Sequence, residues 1–196
     1  MGTLALLLCG AALVCLVFSI RDVAALMFAA AVGFWALPLV VGGPEIPAGF
    51  EAQDEPQPAP ETDFRTAGGK HLTLADFRGR VVLLNLWTMS CDPCQTEIPS
   101  FDRLQAMYKG DGLAVLAVSV DDASGLTVRR YLQRNGLNNL TPYLDAQGAT
   151  AMAFNLRQFP TTLLIDRDGN VVGSLQGATQ WDSPEALALI RRYLDS

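Results

Sequence analysis

Two regimes of apolar and polar positions divide this chain. From Thr3 to Gly43 the sequence is almost wholly apolar, and Arg21 and Asp22 are its only charges. That pair separates two runs, Thr3 to Ile20 and Val23 to Gly43, each near the roughly 20 residues a bilayer-spanning helix needs. Residues 1–43 are therefore expected to be a membrane anchor, either a tight two-helix hairpin or one span with an interfacial segment before it. Met1-Gly2-Thr3 supplies no basic side chain of the kind that opens a cleavable signal peptide, so the anchor is expected to be retained.

Residues 44–61 hold five prolines, five acids and no basic residue. Such a composition favours extended, polyproline-like chain over a core, and the segment is expected to be a spacer. The folded domain is then residues 62–196, expected to fold without residues 1–61. Its pattern alternates short apolar runs with helical ones. Val81-Val82-Leu83-Leu84-Asn85-Leu86-Trp87 has the near-continuous apolar character of a strand buried on both faces. Leu113 to Val120 and Thr161 to Ile165 are similar, and Asp168-Gly169-Asn170 turns the last of these into a partner strand from Val171 to Leu175. Helical patterns run from Cys94 to Tyr108, Ala123 to Asn135, Thr150 to Leu156 and Ser183 to Leu194, the last opened by Ser183-Pro184-Glu185. This order implies an α/β domain with a mixed central sheet flanked by helices.

Charge changes the picture only by exclusion. The net charge of -6 belongs to the part after the apolar stretch, and no basic stripe is available to neutralise phosphates, which argues against a nucleic-acid partner. Arg21 is the sole basic residue near the apolar runs, and acids come first after Gly43. By the positive-inside tendency the soluble part faces away from the cytoplasm.

The candidate chemistry sits in Cys91-Asp92-Pro93-Cys94, directly after the first buried strand and at the start of a helix. Unpaired N–H groups and the helix dipole at that place favour a thiolate on Cys91. Two-residue spacing lets the second sulfur reach the first, closing a small ring and releasing a bound partner. Other readings are weaker. Zinc would need two further ligands, and the chain offers one histidine, His71, with Cys9 and Cys15 both in the apolar stretch. A purely structural disulfide across so short a loop would constrain the unfolded chain very little. A lipid-attached Cys9 is disfavoured by the bulky Leu8 before it. No metal or cofactor is expected, and His71, alone in a polar stretch, reads as a surface residue.

These blocks resemble a known family: the membrane-anchored, periplasm-facing thioredoxin-like reductases of the TlpA and ResA type, which serve cytochrome maturation. The resemblance runs from about Thr62 to the C-terminus. It is carried by Leu74-Ala75-Asp76-Phe77-Arg78-Gly79, by Val81 to Cys94, and by Phe159-Pro160-Thr161-Thr162-Leu163-Leu164-Ile165-Asp166. It implies a thioredoxin-like fold, with Ala123 to Asp145 as the extra helix and strand these proteins insert. It also implies that Pro160 is cis and faces the dithiol, leaving the backbone at Phe159 to pair with an extended substrate segment. Two departures stand out. The family usually has an aromatic residue immediately before the first cysteine, where this chain has Ser90 preceded by Thr88-Met89, and plain thioredoxins carry a buried acid where this chain has Asn85. Proton handling then falls to Glu97, three residues after Cys94 and on its helix face.

Asp92 disfavours a second negative charge on Cys91, so the pair is expected to be reducing. The function expected is reduction of disulfides in exported proteins, such as apocytochrome c or copper-centre proteins, with electrons from a donor in the inner membrane. The alternative is a thioredoxin-like module that handles copper without turnover. Related metal chaperones use a wider cysteine spacing and a downstream histidine, and no histidine follows His71. A peroxidase on the same fold would need a different local pattern of threonine and cysteine.

Overall fold

The computed structural model describes residues 46–196. The expectations for residues 1–43, including one span against two, lie outside the described residues. Among the described residues no helix is long and apolar enough to cross a membrane.

The centre of the domain is β4 (Val81–Trp87), buried at every residue. On one side it pairs in parallel with β5 (Leu113–Ser119), and on the other antiparallel with β7 (Thr161–Ile165). Its odd positions Val81, Leu83 and Trp87 face one apolar layer, while Val82, Leu84 and Leu86 face another. Period-two alternation therefore does not show as apolar against polar; both faces are covered.

The first layer is roofed by α1 (Asp92–Met107), α2 (Gly125–Arg134) and α4 (Pro184–Leu194), through Ile98, Phe101, Leu104, Val128, Leu132, Leu189 and Ile190. The spacing of those side chains is helical, and full burial of each stabilises by about 1.5–3 kcal/mol. The second layer is closed by a 3-10 turn (Leu74–Phe77), the hairpin β2 (Phe64–Thr66) with β3 (His71–Leu72), and short α3 (Ala149–Ala153). Strand β6 (Tyr143–Leu144) joins β5 in parallel and β8 (Asn170–Gln176) joins β7 antiparallel. With β1 (Phe50–Pro58) the sheet has eight strands in the order β1-β8-β7-β4-β5-β6-β2-β3. The mixed sheet and the α2–β6 insertion agree with the expected thioredoxin-like architecture.

The spacer at residues 44–61 needs correction. Strand β1 lies within it and pairs antiparallel with β8, Phe50 opposite Leu175 and Pro58 opposite Asn170, with a bulge between Ala52 and Gln57. Proline is tolerated because β1 is an edge strand, where a missing N–H on the outer side breaks no ladder. Only Phe50 is buried, which is why the segment shows no apolar pattern. Its ring lies against Gly173, where any Cβ would collide with it and with the carbonyl of Glu51. The folded domain thus begins well before Thr62, and its stability includes contacts from β1.

Candidate active site

Strand β4 delivers the chain to the site and α1 receives it. Cys91 is the N-cap of α1, with extended backbone, and its Sγ accepts a hydrogen bond from the Cys94 N–H at 3.2 Å. This uses one of the amides that a helix start leaves unpaired, and it places any negative charge on Cys91 where the helix dipole favours it. Pro93 sits in the first turn, where its lack of an N–H costs nothing. Cys91 and Cys94 are joined as a disulfide, with Cα atoms 5.2 Å apart. The two sulfurs differ in access: Cys91 is half-buried, whereas Cys94 has no exposed surface.

Opposite the disulfide, the peptide bond between Phe159 and Pro160 is cis. The carbonyl oxygen of Phe159 lies 3.7 Å from Cys91 Sγ. Pro160 is buried at the head of β7 and its carbonyl accepts from the Gly177 N–H at 2.9 Å. The structure brings together Cys91, Cys94, Phe159 and Pro160, the last two singled out by the resemblance.

One turn into α1, Glu97 is fully buried. Its Oε1 accepts from the Trp181 indole Nε1 at 2.8 Å and from the Thr179 backbone N–H at 3.2 Å. Its Oε2 accepts from Asn85 Nδ2 at 3.0 Å. Burial pushes the carboxyl up to about 7, and the three donors oppose that rise. Asn85, itself unexposed on β4, spends its other N–H on Thr162 Oγ1 at 3.0 Å, its register partner on β7. Ser100 ties the same loop to α1: its hydroxyl accepts from the Trp181 N–H and donates to the Glu97 carbonyl.

Residues 56–174 match the model of the AhpC/TSA family. The chain is 33% identical over 138 residues to thiol-disulfide oxidoreductase ResA of Geobacillus kaustophilus, covering 70% of this chain and 75% of the relative. It is 32% identical to ResA of Bacillus subtilis, covering 66% of this chain and 72% of the relative. The chain belongs to the AhpC/TSA family, among its ResA-type thiol-disulfide oxidoreductases. A solved structure assigned provisionally as thiol:disulfide interchange protein DsbE of Chlorobium tepidum superposes with a TM-score of 0.63 at 30% identity, over 74% of this chain and all of that one.

In this ResA-type enzyme several site residues carried no signal in the sequence. Asp121, just past the end of β5, accepts from the Met89 N–H with both oxygens, at 2.9 and 3.3 Å, and from the Ser119 hydroxyl at 2.7 Å. Gln95 Nε2 donates to the Met89 carbonyl at 2.8 Å. The loop Thr88-Met89-Ser90, which lacks the aromatic residue expected before the first cysteine, is thus held by side chains gripping its backbone. Parallel β4 and β5 end on the same side of the sheet, and that topology alone could have pointed to Asp121. Thr179 and Trp181 are too distant in sequence from Glu97 for any spacing rule to find. His71 is exposed and lies 2.9 Å from Asp63, away from the dithiol. Among the described residues no cluster of three or more His, Cys, Asp or Glu is placed to hold a metal ion.

Proposed function

We propose that the Cys91–Cys94 pair works as an extracytoplasmic, membrane-tethered reductase of disulfides in exported proteins, with apocytochrome c and copper-centre proteins as the candidate substrate classes. The observation that carries this reading is the asymmetry of the two sulfurs: a half-buried Cys91 at a helix start, facing the carbonyl before a cis proline, and a Cys94 sealed inside.

In the reduced enzyme the Cys91 thiolate attacks one sulfur of the substrate disulfide. The substrate S–S bond breaks, a mixed disulfide forms, and the departing thiolate takes a proton. Strand-like pairing of the substrate at Phe159 aims its sulfur at Cys91. Cys94 then loses its proton to Glu97 and attacks Cys91 Sγ. The mixed disulfide breaks, the second substrate thiol leaves, and the enzyme is left with the Cys91–Cys94 disulfide. Two electrons have passed to the substrate, and a dithiol donor in the inner membrane restores them. Glu97 suits the proton step because its carboxyl, held near 7, can both take and return a proton at neutral pH.

The exposed Asp92 beside Cys91 supports the reducing direction, since it opposes a thiolate there and so leaves the reduced form less stabilised. The test is trapping in the full-length protein. Cys94→Ser is expected to accumulate partners disulfide-linked to Cys91, and Cys91→Ser to accumulate none. Equal trapping by both variants overturns the assigned order of the two sulfurs.

A further inference from the structure

The two oxygens of Glu97 are not equivalent, and the difference singles out a residue on the neighbouring strand. Oε1 already receives two N–H groups, from Trp181 and Thr179, and neither donor can accept a proton in exchange. Oε2 receives only one, from Asn85, so a lone pair remains there. A proton arriving at Glu97 therefore goes to Oε2, because protonating Oε1 would set its new O–H against two fixed donors.

The orientation of the Asn85 amide follows from the same pattern. Both of its N–H bonds are used, on Glu97 Oε2 and on Thr162 Oγ1, whereas Oδ1 has no hydrogen-bond partner among the described residues. The reversed amide would place Oδ1 against Oε2, a contact of two acceptors that only a protonated Oε2 could tolerate. The observed orientation is thus the one an ionised Glu97 requires. Thr162, which anchors the amide, stands two residues after Pro160 on β7.

We propose that Asn85, anchored on Thr162, is a positioning residue of the proton relay: with Oε1 of Glu97 occupied by Trp181 and Thr179, it sets how readily Oε2 takes the proton. This rests on the reading of Glu97 as the acid–base group. The groups bonded to Glu97 are Asn85 from β4, which Thr162 of β7 backs, and Thr179 and Trp181 from the loop after β8, while Cys94 lies one turn earlier on α1. None of these is charged, Cys94 being held in the disulfide, and no charged side chain contributes to the behaviour of Glu97.

Trp181 supplies a reporter, because its indole N–H bonds directly to the titrating carboxyl. The experiment follows that N–H by NMR in the oxidised, full-length, isotope-labelled chain from about pH 4.5 to 9, with the resonance assigned by its loss in Trp181→Phe. The parent should titrate with a midpoint near 7. Asn85→Ala removes a donor that favours the carboxylate, so its midpoint should rise by about half a pH unit or more. Thr162→Val should move it the same way, and Thr162→Ser, which keeps the hydroxyl, should stay with the parent. A merely structural role would lower stability and leave the midpoint in place. If Asn85→Ala does not fold, the Thr162 pair decides alone. Unchanged midpoints in the variants overturn the role of Asn85 while leaving Glu97 as the acid–base group; a parent that does not titrate overturns both.

Discussion

Cys91 and Cys94 are the same residue type three positions apart, yet they occupy opposite surroundings. Cys91 lies at the open end of α1, half-buried, with a backbone N–H directed at its sulfur and an exposed acid beside it. Cys94 lies one turn deeper with no exposed surface, and a buried carboxyl stands one further turn along the same face. The difference teaches that a helix start alone can activate a thiol, whereas a buried thiol needs a partner to remove its proton, since desolvation disfavours the thiolate. A two-step exchange needs both kinds of site.

The largest effect expected from this contrast is kinetic. In the reduced protein, alkylation of Cys91 should outrun that of Cys94 on the order of 100-fold at neutral pH, measurable by mass spectrometry of timed quenches. Equal rates would erase the distinction between the two surroundings.

Next comes stability. The Glu97 carboxyl is raised by burial from its ordinary value to about 7 in the folded state. Between those values the folded chain holds a proton that the unfolded chain has released. Stability is therefore fully present at low pH and falls as pH rises through about 7. The loss is on the order of 3 kcal/mol. In Glu97→Gln this fall should disappear from denaturant titrations at pH 5 and 8, because the amide carries no charge at either.

A smaller effect is expected at the exposed end. Asp92→Asn removes a charge that water already screens, so the thiolate fraction of Cys91 at neutral pH should rise by about threefold or less. Iodoacetamide reactivity against pH would show it, and the redox pair should become slightly more oxidising. A larger change would mean that Asp92 acts at closer quarters than its exposure allows.

The legible parts of the sequence were those whose signal is local. Val81–Trp87 and Thr161–Ile165 read as strands because largely apolar runs of that length need two covered faces, and the structure has them at those residues. Cys91-Asp92-Pro93-Cys94 read as a dithiol because strand, turn and helix start are all adjacent in the chain. Strand β1 did not, since its pairing with β8 is made by backbone and a single buried ring, and acids and prolines on an exposed edge look like a spacer. The hairpin of β2 and β3 is too short to show a period. Around Glu97 the spacing from Cys94 was visible, but its donors come from β4 and from the loop after β8, up to 84 residues away. Only the fold brings those together.

The central claim is that Glu97 moves the proton for the buried thiol, and the pH dependence of the reductase rate tests it most directly. The parent rate should change through a group titrating near 7, and Glu97→Gln, which keeps the size of the side chain but cannot exchange the proton, should lose that dependence along with much of its rate. A Glu97→Gln profile that superposes on the parent from about pH 5 to 9 would contradict the account and leave Glu97 as a buried structural carboxyl.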